Sequence, residues 1–96
     1  MSDEIYHQIE YGDERAATAL EAPNALEEDV ALVINSFSKY HCLTGWRVGW
    51  CIVPAGLKQP MTALQQNLFI NAPHISQIAA AASFDDDVAK TLDKHV

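Results

Sequence analysis

Residues 30–39 read Val-Ala-Leu-Val-Ile-Asn-Ser-Phe-Ser-Lys, and residues 43–50 read Leu-Thr-Gly-Trp-Arg-Val-Gly-Trp. The continuous apolar run Val30–Ile34 is rich in β-branched residues. Such a run predicts a strand buried on both faces, in a sheet covered by helices. Asn35 to Gly45 is polar and contains glycine, which predicts a loop leaving that strand. Trp46 to Val53 predicts a second strand. Trp46, Val48, Trp50 and Ile52 would share one face, and Arg47, Gly49, Cys51 and Val53 the other. Pro54 and Gly56 end it. Lys39 and Arg47 are separated by a strand–loop–strand return, which can bring both to one end of the sheet.

Beyond Gly56, Leu57, Met61, Leu64 and Leu68 recur at helical spacing, and Pro60 is tolerable only in a first turn. Asn71-Ala72-Pro73 breaks that helix. Ile75, Ile78, Ala79 and Ala82 mark a second helix. A third opens at Asp85–Asp87 and closes near Lys90, Lys94 and His95, a polarity that suits the helix dipole. Toward the N-terminus, Glu27-Glu28-Asp29 predicts a solvated acidic turn, and the alanine-rich residues 16–22 a short helix stopped near Pro23. Gly12-Asp13-Glu14 predicts a turn. Asp3-Glu4-Ile5-Tyr6 reads as a strand stump. The order of strand, strand, helix, helix, helix indicates an α/β fold. Two adjacent strands do not make a stable sheet by themselves, so the chain resembles the middle of an α/β domain.

The chain has 96 residues, is 49% hydrophobic and 20% charged, and is therefore of globular rather than disordered composition. Net charge is −7, which disfavours generic nucleic-acid binding. The charge is uneven. Residues 1–29 hold nine acids and one base, whereas residues 30–84 hold no Asp or Glu but include Lys39, Arg47 and Lys58. An acid-free stretch with cations among hydroxyls suits a bound anion such as phosphate. A buried segment that merely excludes carboxylates has the same composition. Cys42 and Cys51 are too few for a disulfide scaffold and are not spaced as a zinc pair. Cys51 is expected to pack within its strand. His7, His41, His74 and His95 are scattered, so no metal site is expected. The acidic start does not resemble a secretory signal, and no apolar stretch reaches membrane-spanning length. The expected setting is cytoplasmic, with no membrane partner.

Ser36-Phe37-Ser38-Lys39 followed by Thr44-Gly45-Trp46-Arg47-Val48-Gly49-Trp50, with Asp3-Glu4-Ile5-Tyr6 ahead of them, resembles the class I/II aminotransferases. These are fold-type I pyridoxal-phosphate enzymes. The resemblance runs from Ser2 to about the end of the chain, and includes Gln77 and the alanines after it. It implies an α/β fold in which residues 1–96 are a fragment of the large, cofactor-binding domain, with the small domain absent. It implies pyridoxal 5'-phosphate as cofactor, Lys39 as the Schiff-base lysine and proton carrier, and Asp3 as partner of the pyridine nitrogen. Tyr6 would donate to the ring's phenolic oxygen, and Arg47, Ser36 and Ser38 would hold the phosphate. The implied reaction in amino-acid metabolism and biosynthesis moves an amino group between an amino acid and a 2-oxo acid, in a homodimeric parent. A helix N-terminus for the phosphate, a ring-stacking aromatic, an asparagine for the phenolic oxygen and an arginine for the substrate carboxylate would then lie outside these residues. Low stability and negligible turnover are expected of the chain alone.

Plainer readings stand beside each role. Lys39 could be a solvated lysine, Arg47 an ion-pair partner, Asp3 a helix cap, Tyr6 a core aromatic, and Trp46 and Trp50 packing residues. Ser36-x-x-Lys39 also matches the acyl-enzyme pattern of penicillin-recognising proteins, but no Lys-Thr-Gly strand accompanies it. Two further alternatives remain: a truncated, non-catalytic relic, and another fold-type I reaction such as a lyase or decarboxylase.

Overall fold

Strand β2, Val33–Ser36, is the central strand of a sheet that has three strands among the described residues. A computed structural model describes residues 1–25, 28 and 30–96. Strand β1, Ser2–Asp3, pairs with β2 in parallel, with Ser2 opposite Val33 and Asp3 opposite Ile34. Backbone bonds from Ser2 N to Leu32 O and from Glu4 N to Ile34 O, each 2.8 Å, hold that register. Strand β3, Gly49–Ile52, runs antiparallel to β2, from Ser36 opposite Gly49 to Val33 opposite Ile52.

The predicted first strand, Val30–Ile34, is displaced toward the C-terminus. Val30 is exposed, whereas Asn35 and Ser36 belong to the strand because Trp50 and Gly49 pair with them. Burial on both faces is not observed. Val33 is fully buried, but Ile34 on the opposite face is 39% exposed. Ile34 and its partner Cys51 instead line an open apolar groove of about 950 Å³, which also touches Trp50, Met61, Leu64 and Leu68. Cys51 is exposed rather than packed. Both tryptophans are about 40% exposed.

The predicted second strand begins three residues late. Thr44–Trp46 forms a 3-10 turn, and Arg47 follows in the left-handed region at φ 52°. That conformation is costly for a side chain with a Cβ, and it interrupts the extended run. Gly49 restores it. A Cβ there would lie 2.7 Å from the Asn35 carbonyl oxygen, so the close approach of β3 to β2 requires glycine.

Helix α1 covers Lys58–Leu68, α2 His74–Ala82 and α3 Asp86–Leu92. Pro60 falls in the first turn of α1, Pro73 precedes α2, and Asp86 and Asp87 open α3 as the dipole favours. The buried stripe of α2 differs from the predicted one. Ser76 and Ala80 are buried, while Ile75 and Ile78 are 65% and 56% exposed. No residue of α1 is buried. The predicted helix over 16–22 shrinks to a 3-10 turn, Ala19–Glu21, capped by the Thr18 hydroxyl. Glu27 and Asp29 of the predicted acidic turn lie outside the described residues. Glu28, between them, accepts from Asn24 Nδ2 at 3.0 Å.

The principal core is small: Phe37, Val48 and Ala80, with Leu43 and Ala72 against them. The radius of gyration is 14.9 Å, above the roughly 12–13 Å of a compact domain of this length. The molecule is a slab 18 Å thin in its shortest dimension. Among the described residues no helix is long and apolar enough to cross a membrane.

Candidate active site

The sheet register gathers the predicted site residues at one end. Asp3 closes β1, Ser36 closes β2, and Arg47 lies just ahead of β3. Lys39 follows Ser36 in the connecting loop. The loop is closed by backbone bonds from Cys42 N to Lys39 O (2.9 Å) and from Leu43 N to Phe37 O (3.0 Å). The Thr44 hydroxyl adds a 2.7 Å bond to the Ser38 carbonyl. Phe37 anchors the loop in the core, leaving Lys39 exposed at its tip.

Two pairs meet directly. The Lys39 ammonium sits 5.4 Å from the centre of the Tyr6 ring, within cation–π range. The Ser36 hydroxyl donates to Ser38 Oγ at 2.9 Å and accepts from the Ser38 N–H at 3.1 Å. The other predicted residues share the same end of the sheet, each held by its own local bond. Arg47 donates to the Thr44 carbonyl at 3.0 Å and lines the apolar groove beside Asn35 and Trp50. The Asp3 carboxylate accepts from Ile5 N–H at 3.3 Å, which makes it the cap of the turn after β1. A second cavity of about 460 Å³ is lined by Glu4, His7, Ser36, Tyr40 and His41 among others. Asp3, Tyr6 and Lys39 line neither cavity.

Sequence reading missed Glu4. Its carboxylate is buried and accepts from the Thr18 hydroxyl (3.0 Å) and Ala19 N–H (2.8 Å), with His7 Nδ1 at 3.4 Å. Burial pushes its pKa up, but the bonds from Ala19, Thr18 and Ser2, with His7 nearby, outweigh burial and hold it below the ordinary carboxylate value. Glu4 thereby fixes the turn that carries Tyr6. The local sequence does not mark it, because two of its hydrogen-bond donors, Thr18 and Ala19, lie fourteen and fifteen positions away. His41 was also read only as a scattered histidine. Its ring packs on Phe37, Tyr40 and Phe84, and burial lowers its pKa. Tyr40 donates to the Asp93 carboxylate, which with desolvation pushes the phenol up to about 12.

The donor set fits a phosphorylated aldehyde. An amine lies over a phenol ring, paired hydroxyls and an arginine belong to the same end of the sheet, and the stretch from 30 to 84 brings no competing carboxylate. The family model for aminotransferase class I and II matches residues 1–96. The chain belongs to that family. Within it, the chain is 38% identical over 94 residues to the valine–pyruvate aminotransferase of Mycobacterium tuberculosis, covering 97% of this chain and 23% of that protein. It is 38% identical over 96 residues to the (5-formylfuran-3-yl)methyl phosphate transaminase of Methanocaldococcus jannaschii, covering all of this chain and 25% of that protein. A Methanococcus jannaschii crystal structure described as similar in its active site to kynurenine aminotransferases superposes with a TM-score of 0.84 at 36% identity. That superposition covers 97% of this chain and 24% of the other. The chain thus spans about a quarter of the length of the relatives it matches, and its mixed sheet and helices form part of the fold-type I architecture.

Proposed function

We propose that this chain is part of the large domain of a pyridoxal-phosphate-dependent aminotransferase that moves an amino group between an amino acid and a 2-oxo acid. The observation that carries the reading is the Lys39 amine over the Tyr6 ring, at the sheet end where Ser36, Ser38 and Arg47 also gather. When bound, pyridoxal phosphate supplies an aldehyde and an electron-accepting pyridinium. Lys39 supplies the amine that holds it and, when released, moves a proton at Nζ. The Tyr6 phenol would donate to the ring oxygen, and its face lies under the Lys39 amine. Asp3, whose carboxylate now accepts from the Ile5 N–H, would be the partner of the pyridine nitrogen. Ser36, Ser38 and the planar fork of Arg47 hold the phosphate. A homodimeric, cytoplasmic parent belongs to the same reading.

A second reading, a non-catalytic relic, draws on one observation. Asp3, Tyr6 and Lys39 are exposed and do not line the groove that Arg47 lines. Treatment of the chain with pyridoxal phosphate and borohydride, followed by peptide mapping, tests retained cofactor recognition. Label concentrated on Lys39 is the expected result. Label spread evenly over Lys39, Lys58, Lys90 and Lys94 would overturn it. Amino transfer assayed with the full-length gene product separates aminotransferase from relic, and release of carbon dioxide or ammonia would indicate a decarboxylase or lyase instead.

A further inference from the structure

The loop that carries Lys39 is tied to the C-terminal helices through two adjacent side chains. Tyr40 reaches Asp93, just beyond α3, and His41 reaches Ser83, just beyond α2. Ser83 is buried, and its Oγ lies 2.7 Å from the Ala80 carbonyl and 2.9 Å from His41 Nδ1. A hydroxyl has one proton, and a carbonyl can only accept. The Ala80 carbonyl therefore takes the Ser83 proton, and the proton between Oγ and Nδ1 belongs to the histidine. Ser83 selects the imidazole tautomer protonated at Nδ1. Phe37 and Phe84 hold the ring in place at centroid distances of 4.8 and 5.3 Å. His41 follows Lys39 by two residues, so the bond fixes the backbone on the far side of the lysine from the Phe37 anchor.

We infer that His41 and Ser83 form a positioning pair, a latch across 42 positions of sequence that holds the Lys39 loop for cofactor capture. The inference rests on the cofactor role proposed for Lys39, but the latch itself can be read without cofactor. Nitrogen-15 NMR of the purified chain should show His41 protonated at Nδ1. In S83A the signal should move to the Nε2–H form, and amide exchange over residues 40–43 should quicken about five- to tenfold. S83T should restore both. H41F keeps an aromatic ring against Phe37 and Phe84 but removes the donor, and should quicken exchange like S83A. The Lys39 share of the reduced pyridoxal-phosphate label should fall severalfold in S83A and return in S83T.

An Nε2–H signal in the unaltered chain would overturn the latch, as would unchanged exchange in both S83A and H41F. A changed tautomer with an unchanged Lys39 share would overturn the positioning role. Should the unaltered chain show no preference for Lys39, the proposed function fails, while the tautomer and exchange results still decide whether the latch exists.

Discussion

The Lys39 loop and helix α1 are built in opposite ways. Residues 36–48 have little regular structure, yet Phe37 and Val48 are buried, Thr44 ties the loop to itself, and His41 ties it to Ser83. Helix α1 is regular over eleven residues and buries none of them. Its leucines and Met61 face the open groove. Irregular backbone is thus the better-anchored part, because long-range contacts hold it, whereas α1 rests on its own backbone bonds. Isolated helices of that length are marginal in water.

The largest contrast should come from truncating the two regions. Val33→Ala, in the strand that leads into the loop, removes a fully buried side chain and should cost about 2–3 kcal/mol in urea unfolding. Leu64→Gln in α1 should stay within about 0.5 kcal/mol. Equal losses would mean that α1 is packed in solution. A smaller effect is expected at the glycines. Gly49→Ala pushes a methyl against the Asn35 carbonyl and should cost about 1–2 kcal/mol, whereas Gly45→Ala meets open space and should be nearly neutral.

Acid should separate the regions further. His41 and Glu4 both titrate below their ordinary values. Each favours the fold in its deprotonated form, so each contribution is present above the ordinary pKa, 6.5 for histidine and 4.5 for glutamate. It is lost as pH falls through the lowered one. Hydrogen exchange should therefore quicken first around the loop, then around the Tyr6 turn, while α1, whose only titratable side chain is Lys58, shows no matching step. Tyr40 works in the other direction. Its raised pKa supports the fold below pH 10 and ceases to do so as pH rises to about 12. One of the three tyrosines should titrate late by ultraviolet absorbance.

The α/β order was legible because apolar runs, prolines and the Asp-to-Lys polarity of the last helix are local signals. Strand edges were not. Asn35 and Ser36 are strand residues through their partners on β3, and no property of their own side chains says so. The left-handed turn at Arg47 was invisible for a similar reason. A closed loop dictates it, while the residue itself disfavours it. The inner face of α2 was misread because hydrophobicity pointed to Ile75 and Ile78, while the tight contact selected the small Ser76 and Ala80. The Ser-Phe-Ser-Lys and Thr-Gly-Trp-Arg segments located the candidate site. The contacts that support it, Glu4 with Ala19 and His41 with Ser83, join distant positions and leave no local trace.

The parallel pairing of β1 with β2 bears on the order of assembly. The hairpin of β2 and β3 closes over a short stretch, but β1 must find its neighbour across the whole segment from Glu4 to Leu32, and closing a longer loop carries a greater entropic penalty. Strand β1 is consequently expected to dock after the β2–β3 hairpin has closed. Asp3 and Tyr6 would join a platform that the lysine segment has already built.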